Sequence, residues 1–153
     1  MRVLASAALL LALSACDGRK ELATAERLIR AYDRAVIEAH LTASFGELEK
    51  VTSKDELERV QVLVGGLRAQ KQVLVASLEA LSVESASFDA EAGAGVILAT
   101  ERWTYQRADA ATRAPIGEPA AREYTLRYEL VRRGNDWVVD RVRHEQPSRE
   151  WRK

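Results

Sequence analysis

Cysteine is nearly absent from this 153-residue chain, which has only Cys16. A lone cysteine closes no disulfide within the chain, so the folded part must rely on packing. Net charge is absent too: 23 basic and 23 acidic side chains balance. That balance removes the electrostatic case for nucleic-acid binding. Long apolar runs are also missing. The run Val3 to Leu13 has 11 residues, about 16 Å of helix and roughly half a bilayer core. No Gly/Ser/Pro-rich linker, internal repeat or low-complexity segment interrupts the chain. No nucleophile elbow, phosphate loop or zinc-ligand spacing is present, so no metal, cofactor or catalytic residue is assigned. The two histidines, His40 and His144, lie far apart in different elements. A pairing with Asp33 or Asp140 is the one arrangement that would give them chemistry; otherwise they are surface or helix-face residues.

What the chain does have begins at its first residue. The opening reads MRVLASAALLLALSAC: one basic residue, Arg2, then the short apolar run, then Leu13-Ser14-Ala15-Cys16. A run of this length suits the apolar region of an export signal over residues 1–15. Its end resembles the lipobox of bacterial lipoproteins. That resemblance implies cleavage before Cys16, a lipid on its sulfur, and a membrane anchor for the rest of the chain. The alternative is an ordinary secretory signal with a cysteine there by chance. Lipidation would leave no thiol for metal binding or catalysis, and loss of Arg2 leaves one net negative charge. The implied location is the bacterial cell envelope, facing the periplasm. Asp17 resembles the inner-membrane retention signal of enteric lipoproteins, or is an ordinary surface residue.

Residues 16–20 then form a short tether, residues 21–146 a single domain, and residues 147–153 a charged tail that frays. The first helix is expected from Glu21 to Ala43, with Leu22, Ala25, Ile29, Tyr32, Val36, Ala39 and Ala43 as its apolar stripe. Phe45-Gly46 should stop it. Ser53-Lys54-Asp55-Glu56 is a capping-box pattern opening a second helix. Its stripe, Leu57, Val60, Val64, Leu67, Leu74 and Leu78, is interrupted by Lys71. Gly65-Gly66 inside it suggests a bend or a close approach. A short strand follows from Leu81 to Phe88, with a change of face before Phe88. Val96 to Arg107 is a longer strand with Ile97, Ala99, Glu101, Trp103 and Tyr105 on one face. Ala108 to Pro119 reads as a loop. A strand carrying Tyr124, Leu126, Tyr128 and Leu130, a Gly134-Asn135-Asp136 turn and a last strand from Trp137 to His144 complete the chain. Helices first and strands afterwards predict an α+β fold, with helices on one face of a curved antiparallel sheet of about four strands. The helical half is acidic and the sheet half basic, as two solvated faces would be.

The strands Glu101-Arg102-Trp103-Thr104-Tyr105, Tyr124 to Leu130, and Asn135-Asp136-Trp137-Val138-Val139-Asp140 resemble the closing strands of NTF2-like domains. In particular they resemble the ARC6-like intermembrane-space (IMS) branch, whose last strands read Y-x-L, a turn, then W-x-V/I. The resemblance implies helices before a curved sheet and, by fold analogy, an interaction module of division or envelope proteins. The chain departs from the common NTF2-like pattern in its few strands and long leading helices.

Tyr32, Trp103, Tyr105, Tyr124 and Tyr128 are the candidate lining of a pocket for a small apolar ligand; the alternative is cross-strand and core packing. The expected function is a lipid-anchored envelope protein acting as a non-catalytic interaction or ligand-binding module, with a membrane, an envelope protein or an apolar ligand as partner. The alternative is a small NTF2-like enzyme, isomerase or hydrolase-like. An open aromatic cone containing a buried carboxylate would favour the enzyme, and a filled cone the interaction module.

Overall fold

The structure, a computed structural model, describes residues 7–150, with side chains from Gly18 onward. The proposed lipidation at Cys16, the Asp17 signal and the end of the charged tail lie outside these described residues. Three helices, α1 (Ala7–Thr42), α2 (Gly46–Val51) and α3 (Lys54–Ala69), precede five strands. The strands are β1 (Gln72–Asp89), β2 (Ala94–Asp109), β3 (Pro115–Arg133), β4 (Asp136–His144) and β5 (Arg149–Glu150). This is the expected α+β arrangement, with helices packed against a curved antiparallel sheet. The first four strands run as a meander in the order β1-β2-β3-β4, and β5 pairs with β3.

In α1 the expected stripe turns inward: Ala25, Ile29, Tyr32 and Ala39 are buried, while Leu22 at its start is exposed. The backbone of residues 16–20, read as a tether, is helical and continuous with α1. The helix stops at Thr42 because Ala43 adopts a left-handed φ of 60°. Arg68 and Arg113 then donate to the free Leu41 carbonyl at 2.9 and 3.0 Å. Phe45-Gly46, expected as the stop, instead opens α2. Arg133 closes α2 by donating to the Glu49 and Thr52 carbonyls at 3.0 Å each, the favourable place for a cation at a helix C-terminus.

Ser53 caps α3 as its sequence implies, its hydroxyl accepting the Glu56 N–H at 3.3 Å. The reciprocal half of the capping box is not made, because the Glu56 carboxylate is drawn inward to other partners. Gly65 and Gly66 mark no close approach. A Cβ added at either would meet nothing within 4 Å, and α3 runs unbroken through both.

The expected second helix overran. It ends at Ala69, Lys71 turns the chain with a φ of 58°, and Leu74 and Leu78 belong to β1. A four-residue spacing keeps two side chains on one face of a helix and also of a strand, so that pair could not separate the two periods. Val73 and Val75 are the β-branched residues that favour the strand. The expected strand from Leu81 to Phe88 is the second half of β1. A register shift between Val83 and Ser85 moves the half-buried face from Leu81 and Val83 to Ala86 and Phe88, as expected.

The expected loop from Ala108 to Pro119 is also corrected. Strand pairing continues to Asp109 and resumes at Pro115, so the connection is only residues 110–114. The Asp109 carboxylate holds that turn, accepting the Ala111 and Thr112 backbone N–H groups at 2.9 and 2.8 Å. Part of the tail expected to fray forms β5. Because β4 pairs with β3 only as far as Leu126, an edge of β3 is left at Arg122 and Glu123, and β5 covers it. An Arg122–Glu150 ion pair at 2.8 Å accompanies it. At the other end of the sheet the α2–α3 link is tied to β4 through the Ser53 N–H, which donates to the Val139 carbonyl at 2.8 Å.

Candidate functional site

The inward face of β2 reads Gly95, Ile97, Ala99, Glu101, Trp103, with Tyr105 half-buried after it. Beside it, β3 supplies Leu130, Tyr128, Leu126 and Tyr124. The first residues of each series pack against the helices in one apolar cluster with Ile29, Leu48, Val64 and Val139. The later residues face a cavity of about 630 Å³ between α1, α3 and the sheet. All five residues proposed as pocket lining, Tyr32, Trp103, Tyr105, Tyr124 and Tyr128, border this one cavity. They form two aromatic groups. Trp103 and Tyr105 stack at 5.9 Å, Tyr124 meets Tyr105 edge-on at 6.2 Å, and His144 meets Tyr124 at 5.2 Å. Tyr32 and Tyr128 form a separate T-shaped pair at 5.9 Å.

Three carboxylates border the same cavity, and each is almost wholly buried: Asp33, Glu56 and Glu101. Two of them are well partnered. Glu56 accepts the Tyr32 hydroxyl at 2.7 Å and the Arg59 guanidinium at 2.5 Å, and Arg59 also donates to the Asp140 carbonyl at 3.0 Å. Glu101 accepts the Trp103 indole N–H at 2.7 Å and a short bond from the Tyr128 hydroxyl. Asp33 is different: its Oδ2 is buried with no hydrogen-bond partner among the described residues. Burial, and then the Glu101 charge, push the Asp33 carboxyl up to about 9, against the pull of Arg30 and the Tyr128 hydroxyl. Burial likewise raises Glu101. It is also the main cause that raises Tyr32 and Tyr128 well above the ordinary phenol value, so both stay protonated and donate. The site therefore offers hydrogen-bond acceptors and protonatable acids on an aromatic floor.

The fold has a solved counterpart. It is similar to the structure of the intermembrane space region of the chloroplast protein ARC6. The TM-score is 0.69 at 19% identity, over 80% of this chain and 95% of that one. A likeness at that identity is a likeness of fold. No protein family matches the sequence. No curated protein matches it either.

The structure brings two other sequence candidates, His40 and His144, to the same cavity as Asp33, but without a His–carboxylate pair. His40 bonds through Nδ1 to the Val36 carbonyl of its own helix at 2.9 Å. His144 reaches the cavity as a ring against Tyr124. Neither is hydrogen-bonded to Asp33 or Asp140, and Asp140 takes part only through its backbone carbonyl. Among the described residues no group of three or more His, Cys, Asp or Glu side chains is arranged to hold a metal ion. Sequence reasoning did not single out Glu56 or Glu101. The signal for Glu101 was present, since it is the one charged residue on an otherwise apolar strand face. Glu56 was hidden by its match to the capping box.

Proposed function

We propose that the chain is a lipid-anchored envelope protein whose NTF2-like domain is a ligand-binding module. One observation carries the binding half: an aromatic-lined cavity of about 630 Å³, open on one side and floored by buried carboxylates. A cone filled by its own side chains would have favoured a pure protein-interaction module; the space bordered by Tyr105, Tyr124 and His144 supports the ligand-binding reading. The ligand is a small molecule with an apolar or aromatic body that lies against Trp103, Tyr105 and Tyr124. The anchoring half rests on the Leu13-Ser14-Ala15-Cys16 sequence after a short apolar run. A fold neighbour described as an intermembrane-space region is in keeping with an envelope location. Facing the periplasm, on the inner membrane through Asp17, is the site that reading assigns.

Native mass spectrometry of the chain purified in mild detergent tests the pocket. An added small-molecule mass, lost on unfolding and reduced by Trp103→Ala, is expected; a bare protein mass with and without added aromatic ligands would overturn it. Cys16→Ala tests the anchor: release from the membrane, or an uncleaved precursor, is expected, and normal processing and retention would exclude lipidation.

A second reading is favoured by the unpartnered, proton-holding Asp33: an isomerase or hydrolase-like enzyme using it in acid–base chemistry with a tyrosine hydroxyl as donor. Turnover of an envelope metabolite that is lost on Asp33→Asn, with ligand binding retained, would establish that reading over simple binding.

A further inference from the structure

The ion pairing around the cavity is uneven. Glu56 has Arg59 on it at 2.5 Å. Glu101 is held only by neutral donors, the Trp103 indole and the Tyr128 hydroxyl. Asp33 has an oxygen with no donor at all. The nearest cation on its own helix, Arg30, is paired with Glu26 at 2.8 Å on the exposed side. The cations beside the two carboxyls are engaged elsewhere, Arg30 with Glu26 and Arg59 with Glu56, while Arg27 and Arg34 line a neighbouring pocket with Asp33. Around the two carboxyls stand aromatic rings, whose faces attract cations once water is excluded. A buried acceptor without a donor is destabilising, and a ligand that brings a charged N–H would relieve it. An anionic ligand would meet the same carboxyls as repulsion.

We infer that the cavity binds an organic ammonium ion, with its N–H groups at Asp33 and Glu101 and its apolar body along Trp103, Tyr105 and Tyr124. The inference rests on the cavity being a ligand site, and adds the charge and the donor group of the ligand. A primary or secondary ammonium fits better than a quaternary one, because the unpartnered Oδ2 needs a hydrogen to accept.

The carboxyls hold a proton near neutrality in the ligand-free protein, so the cation replaces it. One proton leaves to solvent as one ammonium binds, so the net charge of the site is the same in both states. The groups that face this pair are Arg27, Arg30, Tyr32 and Arg34 on α1, Glu56 and Arg59 on α3, Tyr105 on β2 and Tyr128 on β3. His40 on α1 and His144 on β4 border the cavity as well, while β1 contributes Leu74 and Ala76, which do not titrate. With Glu56 already neutralised by Arg59, the Asp33–Glu101 pair is the group that must release the proton.

The experiment is isothermal calorimetry of the full chain in mild detergent with three probes of one shape: 2-phenylethylammonium, 2-phenylethanol and phenylacetate. The ammonium should bind at least tenfold more tightly than the alcohol, and phenylacetate not at all. Its affinity should rise from pH 6 to pH 8, by up to about tenfold per pH unit if one proton is released. The observed heat should shift with buffer ionisation enthalpy accordingly. Asp33→Asn should remove the pH slope and the preference, so that 2-phenylethylammonium binds no more tightly than 2-phenylethanol. Glu101→Gln, read the same way, guards against a folding defect in the first variant. Equal binding of alcohol and ammonium, or preferred binding of phenylacetate, would overturn the cation inference and keep the cavity as a ligand site. Binding of none of the three would overturn both.

Discussion

One sheet serves two ends of this molecule differently. At the packed end, β2 and β3 present Ile97, Ala99 and Leu130 to Ile29, Leu48, Val64 and Val139, and the helices close over them. A few residues further along the same strands, the inward positions are Glu101, Trp103, Tyr105, Tyr128 and Tyr124, and they border a cavity. The alternation of faces is the same at both ends. What differs is whether a helix side chain meets the strand, and whether the strand presents methyl groups or polar aromatics. A continuous strand can therefore be core at one end and site at the other, and only the covering helix decides where the change falls.

The largest expected effect is at the packed end. Ile97→Ala removes a wholly buried side chain and should cost about 2–5 kcal/mol of stability, read by urea denaturation. A loss below about 1 kcal/mol would mean that this end is as loosely filled as the other. At the cavity end, Tyr128→Phe deletes the hydroxyl that donates to Glu101 and should cost about 1–3 kcal/mol. An unchanged midpoint would show that the Trp103 bond alone satisfies Glu101.

The third test is the pH profile. Asp33 is an acid whose folded value, about 9, lies above the ordinary carboxyl value of 3.8. The folded chain therefore holds a proton that the unfolded chain has already lost across that window. Its contribution is fully present below the unfolded value and is lost as pH rises through the folded one. Stability should fall with rising pH between those values, by at most about 1.4 kcal/mol per pH unit. Asp33→Asn should flatten that slope, whereas Ile97→Ala should lower stability equally at every pH. A variant with the parental slope would remove Asp33 from the account. The smallest effect is expected away from both ends: Glu26→Gln breaks an exposed pair with Arg30 and should change stability by less than about 0.5 kcal/mol.

Much of this fold was legible in the residue pattern. The stripe on α1, the Ser53 cap, the face of β2 and the Gly134 turn all follow from local chemistry, and each appears in place. The five aromatic candidates were legible as a set, because tyrosines and a tryptophan on inward strand positions and one helix face must converge if the helix covers the sheet. Less legible was the boundary between α3 and β1, where the Leu74 and Leu78 spacing fits either period. Glu56 was read only as half of a cap, since sequence spacing says which N–H a carboxylate can reach and nothing of Tyr32, which lies 24 positions away in the chain.

By itself the sequence determined the order of elements and the inward faces, because hydrophobic period, caps and turn residues act over a few neighbouring positions. The proposed anchor at Cys16 likewise rests on the sequence alone, on Leu13-Ser14-Ala15-Cys16 after a short apolar run. Tertiary structure alone decided that Asp33 on a helix and Glu101 on a strand, 68 positions later, share one buried region. Desolvation and charge coupling depend on distance in space, and no local pattern encodes that distance.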